Sequence, residues 1–251
     1  VRQPQVLDFL KETENSILCL QELKMQEADI DAAAFKEVGY TLDAFGQKTY
    51  NGVATILRDP LTFLPDEEVR NIPGFEDPQS RLLATTVQVG SEKLRVINGY
   101  FPNGETVESE KFPYKLAWLE ALVQWLPSQL EEYPNLVLLG DFNIAPEDRD
   151  VWDPESWSES VLCTPKAREA FQRLIDLGLT DSFRAFEQPE KSYSWWDYRM
   201  MAFRRNRGLR IDHILISEAL ASKNLGVEIH KKVRGNERPS DHAPVTLTLD
   251  L

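Results

Sequence analysis

Four short apolar runs each begin or end on side chains able to do acid–base or metal chemistry. Ile17–Leu20 runs into Gln21-Glu22-Leu23-Lys24, and Leu136–Leu139 into Gly140-Asp141-Phe142-Asn143. Arg210 and Asp212 open the run that holds His213, and Pro239-Ser240-Asp241-His242-Ala243-Pro244 leads into Val245–Leu249. Carboxylates at strand ends ride on a rigid scaffold and can converge on one mouth of a sheet. Hard oxygen donors with a single imidazole suit Mg²⁺ or Mn²⁺ better than zinc. Taken singly, each feature has a plainer explanation. A Glu after a strand is usually a solvated turn residue, Asp141 and Asn143 could form an Asx turn, and Asp241-His242 could be a satisfied turn pair. His213 and His230 have no motif around them and are given no role. Trp195-Trp196 would by default be core.

The elements that must position these residues are legible in outline. Besides the runs above, Val53–Leu57, Leu82–Val89, Leu94–Phe101 and Ile211–Ile216 are short, rich in β-branched residues and bounded by turn residues, which predicts strands. Gly90-Ser91-Glu92-Lys93 joins two of them as a hairpin. Phe112–Glu131 places Leu116, Leu119, Leu122, Val123 and Leu126 on one helical stripe. Thr164-Pro165 reads as an N-cap followed by Pro at the first helical position, with Gly178 as the stop. Gln5–Thr13 and Asp29–Val38 are shorter helical candidates. Strands and helices intermix, which favours an α/β arrangement with mixed sheets over a regular eight-fold barrel. No repeat, low-complexity tract or Gly/Ser linker divides residues 1–251, so one compact domain is expected.

The chain of 251 residues carries 28 Lys and Arg against 41 Asp and Glu, a net charge of −13. Long-range repulsion then excludes a protein that coats nucleic acid non-specifically, but not an enzyme with a local basic surface. Apolar residues at 42% exclude global disorder. There is no apolar run of about 18 residues and no basic-then-apolar leader, so neither a membrane span nor a signal peptide is expected. Two cysteines make no disulfide framework. Cys19, inside an apolar run, is expected as a buried free thiol and Cys163 in a polar loop, which points to the reducing cytoplasm.

Seven motifs in order, spanning essentially the whole chain, carry a family resemblance. They are Leu20–Lys24 (LQELK), Tyr50–Ala54 (YNGVA), Ile97–Glu105 (INGYFPNGE), Gly140–Pro146 (GDFNIAP), Ser194–Arg199 (SWWDYR), Gly208–Leu215 (GLRIDHIL) and Pro239–Val245 (PSDHAPV). Together they resemble the bacterial exonuclease III family, a branch of the endonuclease/exonuclease/phosphatase superfamily. The resemblance implies a four-layer α-β-β-α sandwich, two mixed β-sheets face to face with helices outside.

It also implies residue roles. Glu22 matches the family's metal-binding Glu, and Asp241 a second carboxylate near the metal. Asp141 matches the Asp that orients and deprotonates the attacking water, with Asn143 its partner in the same loop; both also belong to the implied metal set. His242 matches the His that touches the scissile phosphate, Asp212 the Asp that holds that His, and Tyr100 a phosphate-contacting Tyr. Arg81 matches an Arg near the phosphate backbone, and Trp195 an aromatic beside the target nucleotide. Tyr198–Arg210 matches a DNA-binding loop, with Arg199, Arg204, Arg205, Arg207 and Arg210 as cations and Met200, Met201 and Phe203 as apolar side chains.

The implied protein is a metal-dependent DNA-repair phosphodiesterase using Mg²⁺ or Mn²⁺. It would act as a cytoplasmic monomer on double-stranded DNA with 3′ ends, nicks or abasic sites, and would not bind membranes. Its activities would be 3′-to-5′ exodeoxyribonuclease, abasic-site endonuclease and 3′-phosphatase, which the sequence does not rank. A lipid or inositol phosphatase of the same superfamily is disfavoured by the basic, aromatic-rich 198–210 segment. A non-catalytic nucleic-acid-binding relative is disfavoured by the retained acids. Family members begin with a strand carrying W-N-x-N, whose first Asn helps form the metal site. Here Val1 already matches the following helix, so about a dozen further upstream residues, with that strand and that Asn, are expected.

Overall fold

A computed structural model describes residues 2–251, which fall into two compact units, one ending at Tyr100 and the other beginning at Phe101. In the first unit, helix α1 (Gln3–Thr13) carries Pro4 in its first turn and ends at Glu14, whose left-handed φ of 51° closes the helix through its N–H to the Leu10 carbonyl at 2.9 Å. Strand β1 (Ile17–Leu20) follows, then a 3₁₀ turn (Glu27–Asp29), helix α2 (Ala32–Glu37) and strands β2 (Tyr40–Phe45) and β3 (Val53–Arg58). The helix expected over Asp29–Val38 is shorter because the Asp31 carboxylate caps it, accepting the Ala34 N–H at 3.2 Å. These strands form an antiparallel sheet in the order β1-β3-β2, and Leu10, Phe35, Tyr40 and Ile56 pack together as a core. Strands β4 (Thr62–Phe63) and β5 (Val69–Arg70) flank β6 (Leu82–Val89), which forms the predicted hairpin with β7 (Glu92–Tyr100). The turn is tighter than expected: Val89 pairs with Glu92 across Gly90-Ser91, and Gly90 takes a φ of 58°.

The second unit opens with α3 (Lys111–Glu132), whose buried face includes Trp118, Leu119, Leu122 and Leu126. Strand β8 (Leu136–Asp141), the short helix α4 (Pro154–Trp157) and helix α5 (Pro165–Asp176) come next. Thr164 caps α5 as predicted, its hydroxyl accepting the Ala167 N–H at 3.3 Å, and Gly178 leaves the helix at φ 98°. Strands β9 (Leu179–Asp181) and β10 (Asp212–Ser217) complete an antiparallel array in the order β8-β10-β9. Helix α6 (Glu218–Ala221) leads to a separate hairpin of β11 (Asn224–Ile229) and β12 (Val245–Leu249). The α/β class predicted from the sequence holds, with several sheets and helices through both units.

Both cysteines are free thiols, but their burial departs from expectation. Cys163 is the buried one, in a cluster with Val161, Leu162, Leu209 and Ile211, because its loop folds inward under α3. Burial pushes its thiol up to about 11. Cys19 is half-buried in β1, with its sulfur 3.9 Å from the Thr55 hydroxyl. Among the described residues no helix is long and apolar enough to cross a membrane.

Candidate active site

Strand register assembles the acidic group of the second unit. Asp141 is the last residue of β8 and Asp212 the first of β10, and the antiparallel ladder makes them direct partners. The 239–244 loop docks beside them through two backbone bonds, Trp196 N–H to Asp241 O at 3.0 Å and Ala243 N–H to Ser194 O at 2.7 Å. The Ser194 hydroxyl accepts the N–H groups of Ile211 and Asp212, both at 3.1 Å, and so ties the same segment to the start of β10. His242 is thereby presented to both carboxylates. Its Nδ1 lies 3.0 and 2.9 Å from the two Asp212 oxygens, and its Nε2 is 3.8 Å from Asp141 Oδ2. Burial alone would push this imidazole down. The facing Asp212 and Asp141, with Asp241 behind them, outweigh it and lift it to about 10.

Asn143 sits at φ 50° just beyond β8. Its backbone N–H and side-chain Nδ2 donate to the two Asp141 oxygens at 2.9 and 3.2 Å. Nδ2 also reaches the Phe101 carbonyl at 3.0 Å, while Oδ1 accepts from Asn103 Nδ2 at 2.9 Å. Asp241 Oδ2 accepts the Trp195 indole N–H at 3.0 Å, so the half-buried Trp195 holds a carboxylate as well as offering a ring face. Trp196 is core, fully buried against Tyr193, Ala202 and Ala243.

The first unit presents a smaller group. Glu22 follows β1 at φ 55°, on a turn pinned by Leu23 N–H to Gly52 O at 3.2 Å and Lys24 N–H to Asn51 O at 2.9 Å. A Cβ on Gly52 would stand 3.0 Å from that of Leu23, and its φ is 89°, so the YNGVA motif needs its glycine here. The Tyr100 hydroxyl donates to Glu22 Oε1 at 2.6 Å, and Lys24 Nζ lies 3.2 Å from Oε2. Arg81 is only 9% exposed; its guanidinium donates to the Tyr100 carbonyl and to Gln79, and lies over the Tyr100 ring.

Several supporting residues carry no signal that spacing could have flagged. Gln21 donates to Asn98 Oδ1 at 2.8 Å, and Asn98 donates to the Leu20 and Ala54 carbonyls, fixing the end of β1. Lys115 is fully buried and donates to the Asn103, Asn143 and Val161 carbonyls at 3.1, 2.7 and 2.9 Å, with burial pushing its ammonium down to about 7. His213 has Nδ1 3.0 Å from Arg210 Nη1, which can only donate, so Nε2 carries the proton to the Ile144 carbonyl at 2.8 Å. Burial and the neighbouring Arg210 charge hold that imidazole down at about 4.

The basic loop divides into two kinds of cation. Arg204 and Arg205 are exposed, with Met200 at 74% and Met201 at 55% exposure beside them and φ near 58° and 52°. Arg199 is exposed but paired with Asp197 at 2.7 Å. Arg207 lies over the Trp152 ring, 4.7 Å from its centroid. Arg210, expected among the loop's cations, is instead buried, bonded to Asp150 at 2.7 Å and Asp181 at 2.8 Å, and Arg184 also pairs with Asp150. It is spent on the interior because it lies on the buried segment just before β10, its N–H bonded to Asp150 O at 2.9 Å.

Asp141, Asp212 and His242 offer ligand atoms within 4.8 Å of one another. Asp212 and the charged His242 are committed to each other; the Asp141 carboxylate is left as the group's hard oxygen donor, which suits a divalent metal of the Mg²⁺ type. Residues 3–242 match the endonuclease/exonuclease/phosphatase family, and the chain belongs to it. It is a phosphate-ester hydrolase of that family, whose nucleases depend on divalent metal. It is 35% identical over 253 residues to exodeoxyribonuclease III of Haemophilus influenzae, covering 97% of this chain and 93% of that protein. A 3′ phosphatase, NExo, from Neisseria bound to a product DNA hairpin is similar over 100% of this chain and 95% of its own, with a TM-score of 0.94 and 45% identity. An AP endonuclease from Archaeoglobus fulgidus has a TM-score of 0.89 and 32% identity, over 98% of this chain and 93% of its own.

Proposed function

We propose that this protein hydrolyses phosphate esters at 3′ termini of duplex DNA in DNA repair, releasing nucleotides by phosphodiester cleavage and blocking phosphates by monoester cleavage, and cuts beside abasic sites. The observation that carries the reading is the Asp212–His242–Asp141 array with Asn143 bonded to Asp141. The DNA hairpin of the Neisseria 3′ phosphatase and the activities of the other relatives support the substrate class.

Asp141 is assigned the proton of the attacking water. A carboxylate is a weak base in water, so the Asn143 bonds that aim it matter as much as its basicity. Asp212 holds His242 with Nδ1 protonated, and the charged imidazole directs Nε2–H at a non-bridging phosphate oxygen. Glu22 is assigned to divalent-metal binding, as are Asp241, Asp141 and Asn143, with Mg²⁺ or Mn²⁺ as the ion. When bound, that ion would neutralise charge developing on the phosphate. Tyr100 is assigned to the phosphate, with Arg81 holding its backbone and ring, and Trp195 to the face of the terminal nucleotide. Arg199, Arg204 and Arg205 would contact DNA phosphates, with Met200 and Met201 against the groove.

The test is Mg²⁺-dependent turnover on a 3′-recessed duplex, a 3′-phosphate nick and an abasic duplex, with a phosphoinositide as control. Nucleotide or phosphate release from the DNA substrates alone is expected. Phosphoinositide hydrolysis without DNA cleavage would overturn the reading. Glu22→Gln should raise the Mg²⁺ concentration for half-maximal rate; an unmoved titration removes Glu22 from metal binding.

A further inference from the structure

The loop that leaves β8 carries three consecutive carbonyls, and each is held by a basic side chain from a different element. Lys115 of α3 donates to Asn143 O at 2.7 Å, His213 of β10 to Ile144 O at 2.8 Å, and Arg168 of α5 to Ala145 O at 3.0 Å. Backbone N–H groups of the loop find other partners: Phe142 bonds Ile211 O at 2.9 Å and Ala145 bonds Leu162 O at 2.8 Å. The carbonyl side has no ladder, so these side chains supply its hydrogen bonds. Each donor is itself constrained. Lys115 uses its three N–H groups on three carbonyls, and its stem passes 3.2 Å from where a Cβ on Gly104 would be, so that glycine makes room for it. His213 is fixed in one tautomer by Arg210, which Asp150 and Asp181 hold in turn. The loop's first residue with a left-handed φ is Asn143, whose amide donates to Asp141.

We propose that Lys115, His213 and Arg168 act as positioning residues, clamping the three carbonyls so that Asn143 is held against Asp141 in the reactive geometry. This rests on the reading of Asp141 as the group that takes the water's proton. Small displacements of an aligned group cost rate far more than affinity, because the reacting atoms must meet within a few tenths of an ångström. The clamp therefore acts on kcat rather than on DNA affinity.

The experiment compares Lys115→Met, Lys115→Arg, Arg168→Met and Asp141→Asn by kcat, KM for a 3′-recessed duplex and melting temperature. Lys115→Met should lower kcat about 10- to 100-fold with KM within about threefold, the scale of a one-ångström misplacement. Lys115→Arg should regain part of that loss, since it keeps charge and donors. Arg168→Met should lower kcat about three- to tenfold, and its combination with Lys115→Met should fall short of the product of the two effects, because both act on one loop. Asp148→Asn breaks the Arg168–Asp148 ion pair without touching the carbonyl bond, and kcat should stay unchanged. If Lys115→Met does not fold, Lys115→Arg and Arg168→Met decide. Unchanged kcat in folded Arg168→Met, or a fall in melting temperature with no fall in kcat for the Lys115 variants, overturns the clamp. Full turnover in Asp141→Asn would instead overturn the underlying reading.

Discussion

Asp212 and Asp141 stand opposite each other on neighbouring antiparallel strands, and His242 bridges them with Nδ1 on one and Nε2 facing the other. The histidine is therefore oriented by one carboxylate and charged by both. Asp212→Asn keeps size and polarity but can donate to Nδ1, which favours the wrong tautomer. It should lower kcat by about 10²–10⁴ with melting temperature little changed, as for other orienting carboxylates. Steady-state kinetics on a 3′-recessed duplex checks this, and a kcat within twofold of the parent would remove Asp212 from the mechanism.

Trp195 can be separated into its two contributions. Trp195→Phe keeps an aromatic face but loses the N–H that holds Asp241 Oδ2 at 3.0 Å. If Asp241 binds metal, the half-saturating Mg²⁺ concentration should rise about tenfold, the usual loss when a ligand's hydrogen-bond partner goes. An identical Mg²⁺ titration would leave the indole N–H with no part in metal binding.

Exposed Arg204 and Arg205 should govern the electrolyte dependence of DNA binding. Replacing both with Gln should flatten the slope of log K against log salt by up to ~0.9 for each DNA phosphate that is no longer neutralised. Arg210→Gln, by contrast, removes a buried partner of Asp150 and Asp181 and should show first in melting temperature. A salt slope unaltered in the Arg204/Arg205 double variant would make the loop a solvated turn.

His213 makes acid stability testable. Its folded imidazole is held at about 4, below the ordinary 6.5, so the unfolded chain takes up a proton that the folded one refuses. The resulting stability is complete above pH 6.5 and is lost as pH falls from 6.5 through 4, up to ~3 kcal/mol in all. His213→Gln, which retains an amide donor for Ile144 O, should flatten the fall in melting temperature across that window. A variant that keeps the parent's full pH dependence there would exclude His213 as its source.

Much of the fold and of the candidate site is legible in the sequence, and the limits have physical causes. Polar clusters at the ends of apolar runs mark Glu22, Asp141, Asp212 and Asp241-His242, because a strand end holds a carboxylate on a rigid scaffold at the mouth of a sheet. Which strand end meets which is not legible: Asp141 and Asp212 become partners only through a ladder between segments some seventy residues apart in the chain. Strands β2, β9 and β11 give no clear signal because they are short or interrupted by Asp43, Gly226 and Glu228. Lys115 and His213 are invisible for a different reason. Their partners are backbone carbonyls, which every residue has, so no residue type records the pairing. Cys163 misleads because the whole 161–164 stretch, Thr164 included, is buried, although nearby Glu159 and Lys166 are exposed and make the segment read as a polar loop.

The central claim is that Asp141 takes the proton of the attacking water, and one comparison tests it most directly. Single-turnover cleavage of a 3′-recessed duplex at saturating Mg²⁺, with the DNA Kd measured in parallel, should separate chemistry from binding in Asp141→Asn. The account predicts a rate lower by about 10²–10⁴, the usual worth of a general base, with DNA bound as tightly or more tightly once a negative charge beside the phosphate is gone. A cleavage rate equal to the parent's, in a variant that folds and binds DNA, would contradict it.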